Sequence, residues 1–246
     1  MVEWIDASLS TSGLIMIFIA MGLGAALQGS VGYGMALIAS PLLILVEPRL
    51  IPGPYLLASQ LLSILMILRE RRSIDFYGLK WALLGRIPGT VLAGYLLAVI
   101  SENVMVLMFG FLVLLGVVIS VAGVRFPPRP KNLFFAGLLS AIMGTIATIG
   151  GPPMALVYQD ASGDELRSTL SGYFIIGGFF SLAALMVIGR FGLVELWLSA
   201  TLLPGIILGY LISSRILPLL RRQNTRTAVL VIAAVSGLVV ILREMI

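Results

Sequence analysis

Helix-breaking residues interrupt a long apolar stretch in the second half of the chain, at Gly150-Gly151-Pro152-Pro153. A comparable patch, Gly29-Ser30-Val31-Gly32-Tyr33-Gly34, interrupts an apolar stretch near the N-terminus. A break inside a membrane-embedded helix exposes backbone N–H and C=O groups that lipid cannot satisfy, so it persists only where protein or a water-filled cavity covers it. Two breaks at matching places in two related halves are typical of the substrate site of a transporter.

The composition places the chain in a lipid bilayer. The chain is 59% hydrophobic and only 11% charged, whereas soluble domains carry about 25% charged residues. Most basic residues lie in short loops, as membrane topology requires, so the net charge of +5 does not indicate a nucleic-acid partner. The sequence has no cysteine and no histidine, which excludes disulfides, thiolate chemistry and the commonest metal ligands. We therefore expect a single membrane domain over residues 1–246, with no metal, no cofactor and no catalytic residue.

Six segments are predicted to be full membrane spans, because a span needs roughly 20 mostly apolar residues. These segments are 52–68, 77–100, 104–124, 166–188, 193–217 and 227–242. Two further regions, 12–46 and 132–159, are too long for one ordinary helix, and each carries a break near its middle. Division at the breaks leaves pieces of about 10 to 17 residues, a length that indicates re-entrant half-helices.

Three basic clusters determine the predicted topology. They are Arg69, Arg71, Arg72 and Lys80; Arg125, Arg129 and Lys131; and Arg215, Arg221, Arg222 and Arg226. The positive-inside rule places all three in the cytoplasm, which requires each broken region to enter and leave by one face or to cross twice. Each half then holds one hairpin-like element and three spans. Since three is odd, the two halves are predicted to be inverted, with both termini on the external face.

Sequence matches between the halves support this symmetry. The first set pairs Gly22, Ala26, Gly29 and Ser30 with Gly137, Ala141, Gly144 and Thr145, and further matches pair Tyr55 with Tyr173, Ser63 with Ser181, and Pro88-Gly89 with Pro204-Gly205. The predicted fold class is an all-α integral membrane protein of two inverted repeats, each a broken re-entrant hairpin-like element plus three transmembrane helices. Repeat one covers residues 12–124, the linker 125–131 and repeat two 132–246.

The chemistry of the two breaks favours an anion. In a re-entrant hairpin the second half-helix begins at the tip, where its first N–H groups have no intrahelical partner and the helix dipole adds positive charge. The two prolines of the second break fit a first helical turn. The glycines of both breaks leave room for a ligand to approach the backbone. Two such tips meeting near the midplane would bind an anion with several acceptor oxygens.

Polar side chains that can donate hydrogen bonds flank both breaks, although hydrogen bonding between helices is an alternative role for them. Arg86 is the one charge placed well inside a span, where it would add charge-assisted hydrogen bonds to an anion. The alternative is that it snorkels to the cytoplasmic surface. The predicted substrate-binding residues are Gln28, Gly29, Ser30, Gly32, Tyr33, Gly34, Arg86, Thr145, Thr148, Gly150, Gly151, Pro152 and Pro153. Ser59 and Gln60 in the following span are further candidates.

Acidic residues are placed only at loops or hairpin ends. A proton or sodium relay usually needs a carboxylate or histidine inside the bundle, so the sequence gives little indication of ion coupling. Asp160, at the base of the second hairpin, is the remaining candidate for such a relay, and a solvated loop charge is the alternative. Gly177-Gly178 is interpreted as a site of close helix packing without a ligand.

The segment Ile149-Gly150-Gly151-Pro152-Pro153-Met154-Ala155-Leu156, followed by Tyr158-Gln159, resembles the TauE/SafE family of sulfite exporters. With the broken glycine-rich first element and the basic loops between short spans, the resemblance covers nearly the whole chain. It implies an inner-membrane permease that moves sulfite or organosulfur anions such as sulfonates outward. Tyr33 stands where small residues are common in the family, a difference that concerns the substrate and not the fold.

We therefore expect a membrane transporter that exports a small oxyanion by alternating access: sulfite, a sulfonate such as sulfoacetate, or a related organic anion. Export needs no coupling ion in principle, because a cytoplasm-negative potential drives each negative charge outward by roughly 2.3 kcal/mol per 100 mV. The alternatives are an anion channel of the same architecture and a structural subunit of a larger complex. A membrane-embedded enzyme would need a nucleophile with an adjacent base, and the sequence offers none.

Overall fold

The computed structural model describes residues 10–122, 126–216 and 222–245, and every regular element in these ranges is helical. The ten helices are α1 (Thr11–Val31), α2 (Met35–Val46), α3 (Gly53–Glu70), α4 (Phe76–Val99), α5 (Glu102–Val121), α6 (Pro130–Ala147), α7 (Gly151–Val157), α8 (Gly163–Val187), α9 (Leu193–Ile216) and α10 (Arg222–Met245). Short 3-10 turns, Pro48–Leu50 and Arg71–Ser73, precede α3 and α4. The predicted all-α membrane fold class is confirmed.

Six helices in the described ranges are long and apolar enough to cross a membrane: α1, α4, α5, α6, α8 and α9. Four of them coincide with predicted full spans, and α3 and α10 occupy the other two predicted segments. The remaining two, α1 and α6, are the first arms of the broken regions. At about 1.5 Å per residue, the 21 residues of α1 extend far enough to cross the roughly 30 Å hydrocarbon core.

The lengths predicted for the half-helices are therefore wrong in part. The first arms have 21 and 18 residues, and the second arms, α2 and α7, have 12 and 7. The reason is that α1 does not stop at its first break-forming glycine: Gly29 packs against α9, where an added Cβ would lie 2.8 Å from Ser213 Cβ. Protein thus covers the backbone at this glycine, and the helix continues to Val31.

The breaks themselves lie at residues 32–34 and 148–150. In the first break, Gly32 and Gly34 have φ angles of 102° and 110°, in the left-handed region that glycine adopts without steric cost. In the second break the left-handed residue is Thr148, with φ of 62°. A β-branched residue rarely adopts this conformation, so local contacts must hold it there.

The first broken element folds back on itself as a hairpin. A Cβ added at Gly24 would lie 2.9 Å from Met35 Cγ, at the start of α2, and one added at Gly13 would lie 3.2 Å from Val46 Cγ1, at its end. The two arms are therefore antiparallel, and the chain returns toward the end of α1 at which it began. A hairpin of this kind is what the even number of crossings in the predicted topology requires.

The two halves pack reciprocally. The most extensive helix pairs are α4 with α6 and α1 with α9, which correspond to each other in the two repeats. The matched glycines form these contacts: a Cβ added at Gly89 would lie 2.8 Å from Ala141 Cβ, and one added at Gly205 would lie 3.2 Å from the backbone N of Gly22. Small residues at such crossings let two membrane helices approach to backbone contact.

The central pair, α3 and α8, is antiparallel. Gln60 lies against Gly178. Further along the pair, Glu70 Oε2 forms an ion pair with Arg167 Nε at 2.8 Å. These two helices correspond to each other in the repeat alignment that pairs Tyr55 with Tyr173. Antiparallel packing of corresponding helices is the arrangement that an inverted repeat requires, and the inversion relative to the membrane stays a prediction.

A reporter fused after Ile246, which lies outside the described residues, is expected to report the external face. The reason is that the three basic clusters occupy the cytoplasmic side only if each hairpin returns to its own face. The measurement is a pair of fusions, alkaline phosphatase active outside and green fluorescent protein active inside. A sandwich fusion in the 125–131 linker serves as the control for the cytoplasmic face, and a cytoplasmic signal at the C-terminus would contradict the predicted topology.

Candidate functional site

A small cavity of about 50 Å³ lies where the two breaks meet α3, α4 and α8. Seven of the predicted substrate-binding residues line it: Gln28, Gly34, Arg86, Thr148, Gly150, Gly151 and Pro152. Ser59 and Gln60, the further candidates from α3, line it as well. Two breaks more than a hundred residues apart in sequence thus share one cavity, which is the juxtaposition the sequence predicted.

Arg86 is the charged residue in this cavity lining, and it is 3% exposed. Its Nη2 donates a hydrogen bond to Ser181 Oγ at 3.2 Å, and its guanidinium carbon lies 4.6 Å from the centre of the Tyr173 ring. Its Nε and Nη1 are buried without a hydrogen-bond partner. Among the described residues no carboxylate forms an ion pair with it. Arg86 is therefore a buried cation without a counter-charge in the described part of the chain, and it does not snorkel to the surface.

The position of Arg86 is set by groups behind it. An added Cβ at Gly177 would overlap Nε of Arg86. The guanidinium therefore packs directly against the backbone of α8, in the space that a side chain at position 177 would occupy. Ser181 Oγ also bonds Thr145 Oγ1 at 2.8 Å. Tyr173 is fixed by a hydrogen bond that its hydroxyl donates to the Gly137 carbonyl, at 2.9 Å. Thr145 therefore reaches the cavity only through Ser181 and Arg86.

Gln60, on α3, also lines this cavity. Its side chain packs against α8 at Gly178, the residue that follows Gly177. An added Cβ at Gly178 would overlap the Gln60 amide. The Nε2 of Gln60 donates a hydrogen bond to the Leu56 carbonyl at 3.0 Å, and its Oε1 is buried without a partner. Gly177 and Gly178, interpreted from the sequence as packing positions, thus receive two of the polar side chains that line the cavity.

The second break is held by hydroxyl groups. Thr148 Oγ1 donates to the Ala147 carbonyl and is bonded to Ser40 Oγ of α2. Because Thr148 has a single hydroxyl hydrogen, Ser40 is the donor in their contact. Ser140 Oγ donates to the Gly150 carbonyl. These bonds compensate the left-handed conformation of Thr148 and tie the second break to the first hairpin.

The glycines of the second break, which line the cavity, also pack closely against other parts of the protein. A Cβ added at Gly150 would lie 2.9 Å from the Ser140 carbonyl oxygen, and one added at Gly151 would lie 2.8 Å from Tyr33 Cβ. The space beside these two glycines is therefore filled by protein. They let α6 and the first break approach α7, and the approach of a ligand to their backbone stays a prediction.

The end of α1 is capped by two arginines that the sequence reading did not assign to the site. Arg69 Nη2 donates to the Gly29 carbonyl at 2.6 Å, and Arg167 Nη1 donates to the Ser30 carbonyl at 3.4 Å. Arg167 Nε also bonds Glu70 at 2.8 Å, which joins α8 to α3. Cations favour the C-terminal ends of helices, where carbonyl groups lack intrahelical partners. That preference is the signal that would have indicated these arginines.

Six predicted ligands do not line the cavity: Gly29, Ser30, Gly32, Tyr33, Thr145 and Pro153. Ser30 Oγ bonds the Ala26 carbonyl at 2.7 Å, and Gly32 faces Arg167, where an added Cβ would lie 3.0 Å from Arg167 Cγ. These residues shape the breaks and hold the lining residues in place. Direct contact between them and substrate stays a prediction.

The cavity is electropositive, since no carboxylate stands among its described lining residues. Glu47 lies at the end of α2, where side-chain hydrogen bonding from Arg49 lowers the pKa of its carboxyl group. Asp75 caps the start of α4, and Asp160 is exposed beyond α7. Arg86 has two nitrogens, Nε and Nη1, without a hydrogen-bond partner among the described residues. These unused donors on a cation make the cavity suited to an anion.

Comparison with protein-family models matches residues 16–240 to the family described as Sulfite exporter TauE/SafE. The chain belongs to this family. The resemblance stated from the sequence is thus confirmed, and it covers nearly the whole chain. No curated protein and no solved structure matches the chain. TauE/SafE proteins are membrane anion exporters, so this chain is a multi-pass membrane transporter and not an enzyme.

Proposed function

We propose that this TauE/SafE protein exports sulfite, a sulfonate such as sulfoacetate or a related small organic oxyanion across the inner membrane, and that the cavity between the two breaks is the binding site. The observation that carries this proposal is Arg86, which is 3% exposed and has no carboxylate partner among the described residues. A buried ion without a partner is strongly unfavourable. Ionisable groups inside a membrane bundle therefore indicate function, and here the missing partner is the transported anion.

The geometry of the guanidinium suits an oxyanion. Nε and one terminal nitrogen form a planar fork that matches two oxygens of one anionic group. In Arg86 the nitrogen that would complete this fork with Nε, Nη2, is already bonded to Ser181. Nε and Nη1 have no partner among the described residues and lie on opposite sides of the guanidinium, so each would donate a separate hydrogen bond to the ligand. Sulfite and sulfonates both present several oxygens that can accept such bonds.

Alternating access is supported by the way the two halves meet at this cavity. Each half contributes one break, and the antiparallel pair α3 and α8 lies between them. Ionic contacts join the halves beside the first break, where Arg167 of α8 bonds Glu70 of α3. Movement of one repeat against the other would break this contact and open the cavity to one face. The outward direction follows from the membrane potential acting on a negative charge.

Purified protein in liposomes tests the proposal through uptake of radiolabelled sulfite, with sulfoacetate as competitor. We expect saturable uptake that sulfoacetate inhibits and that unlabelled anion on the opposite side accelerates. Protein-free liposomes measure passive leakage. Flux that does not saturate and shows no acceleration would favour the channel of the same architecture. No uptake of any anion by protein shown to be folded would refute the proposed substrate class.

A further inference from the structure

We propose that the anion bound in this cavity carries a hydrogen-bond donor, a hydroxyl or amino group beside its anionic group, and that Gln60 Oε1 accepts from that donor. This inference rests on the proposed anion site. It separates substrates of equal charge, which Arg86 by itself does not do. The residue concerned lies on α3, the helix that follows the first hairpin.

The orientation of the Gln60 amide follows from its hydrogen bonding. Nε2 donates to the Leu56 carbonyl at 3.0 Å. The opposite orientation would place two acceptor oxygens against each other, so Oε1 is directed away from the backbone of α3. Gln60 is 6% exposed, and its Oε1 has no partner among the described residues. A buried acceptor in this state is costly unless a donor reaches it.

Two kinds of buried, unsatisfied group therefore belong to residues that line one cavity. Arg86 has two unused donors and Gln60 has one unused acceptor. Both side chains cross α8 at adjacent positions, against Gly177 and Gly178, so a single small molecule can contact both. An anion with acceptor oxygens alone would satisfy Arg86 but would leave Gln60 Oε1 unpaired beside negative oxygens.

The ligand that satisfies both groups is an anion with a donor close to its anionic end. Hydroxyalkyl and aminoalkyl sulfonates and singly protonated oxyanions have this combination. Alkyl sulfonates that end in a methyl group, sulfoacetate with its ionised carboxylate, and fully deprotonated oxyanions do not. Among the proposed substrates, the inference therefore ranks sulfoacetate below hydrogen sulfite and the hydroxyalkyl sulfonates. A binding site with a buried acceptor for a substrate hydroxyl or amino group discriminates strongly against an analogue without that group, because the acceptor in the protein is then left without a hydrogen bond.

The test compares 2-hydroxyethanesulfonate with propanesulfonate, which has the same charge and replaces the hydroxyl by a methyl group. Binding of each to purified protein in detergent is measured by calorimetric titration. We expect the hydroxyl compound to bind about 10-fold to 100-fold more tightly, the range expected for leaving one buried acceptor unpaired. In Gln60→Met, which removes the acceptor at similar volume, the two affinities should become equal.

Ser199→Ala, in α9 and away from the cavity, serves as the control and should keep the wild-type preference. Equal binding of both sulfonates by the wild-type protein would overturn the inference while leaving the anion site intact. That outcome is expected if Arg86 and Gln60 simply pair with each other. An unchanged preference in folded Gln60→Met would also overturn it. If sulfite does not bind either, the proposed function fails with it, so the two failures are distinguishable.

Discussion

Replacement of Arg86 by methionine is expected to abolish anion transport and, in the same protein, to increase thermal stability. Transport is lost because two charge-assisted hydrogen bonds to the substrate disappear. Each is worth about 1.5–3 kcal/mol, so the apparent affinity should fall by at least about 100-fold. Stability increases because methionine fills a similar volume and removes a buried charge that has no ionic partner in the described structure.

The two effects are measured separately. Sulfite uptake into proteoliposomes reports transport, and thermal unfolding in detergent reports stability, with about 2–4 °C expected for each kcal/mol gained. Sulfite should raise the melting temperature of the wild-type protein, because a ligand that binds only the folded state stabilises it, and it should not affect the variant. Arg86→Lys keeps the charge but lacks the planar fork, and should retain an intermediate activity.

A structural role for Arg86 would give the opposite result. If the contacts with Ser181 and the Tyr173 ring hold α4 against α8, then Arg86→Met should lower the melting temperature. Loss of transport together with loss of stability would therefore contradict the assignment of Arg86 as the anion-binding residue.

Replacement of Gly177 by alanine is expected to reduce transport by about 100-fold without preventing membrane insertion. An added Cβ would overlap Nε of Arg86, and the nearest atoms all belong to the Arg86 side chain. Since a side chain can move aside where backbone cannot, α8 should fold normally while the guanidinium is displaced. A displacement of about 1 Å in a positioned group can cost two orders of magnitude in activity.

Gly172→Ala is the matched control, because it lies in the same helix and its added Cβ would meet nothing closer than 3.5 Å, at Leu79 Cδ2. It should transport normally. Kinetics of sulfite uptake are measured for Gly177→Ala, Gly172→Ala and the double variant Arg86→Met with Gly177→Ala. The double variant should be no worse than Arg86→Met, since the two changes act on one interaction. Full transport activity in Gly177→Ala would contradict the proposed placement of the guanidinium.

Much of the site follows from local patterns. Glycine and proline break helices through their own backbone preferences, so both breaks are visible in the sequence. Pro152 and Pro153 occupy the first turn of α7, where a missing N–H has no cost. Arg86 is recognisable because a charge inside an apolar span is rare. Each of these signals depends on neighbours within a few residues.

The errors have the opposite character. Gly29 and Gly32 resemble ligand-approach positions in sequence, but their open faces are filled by Ser213 and Arg167. The helix-breaking signal therefore placed the end of α1 too early, whereas contact between substrate and the polar residues near the first break stays a prediction. Whether a glycine faces a ligand or another helix depends on chain segments more than a hundred residues away.

The sequence by itself determined that this protein is a helical membrane protein with two breaks and one intramembrane arginine, because apolar length, backbone preference and charge act locally. Only the tertiary structure decided that Gly177 and Gly178 receive Arg86 and Gln60. It also decided that, among the described residues, Arg86 has no counter-charge and Gln60 Oε1 has no hydrogen-bond partner. These properties depend on which helices pack together. Packing between the halves depends on side-chain contacts along whole helices, and no short sequence pattern records it.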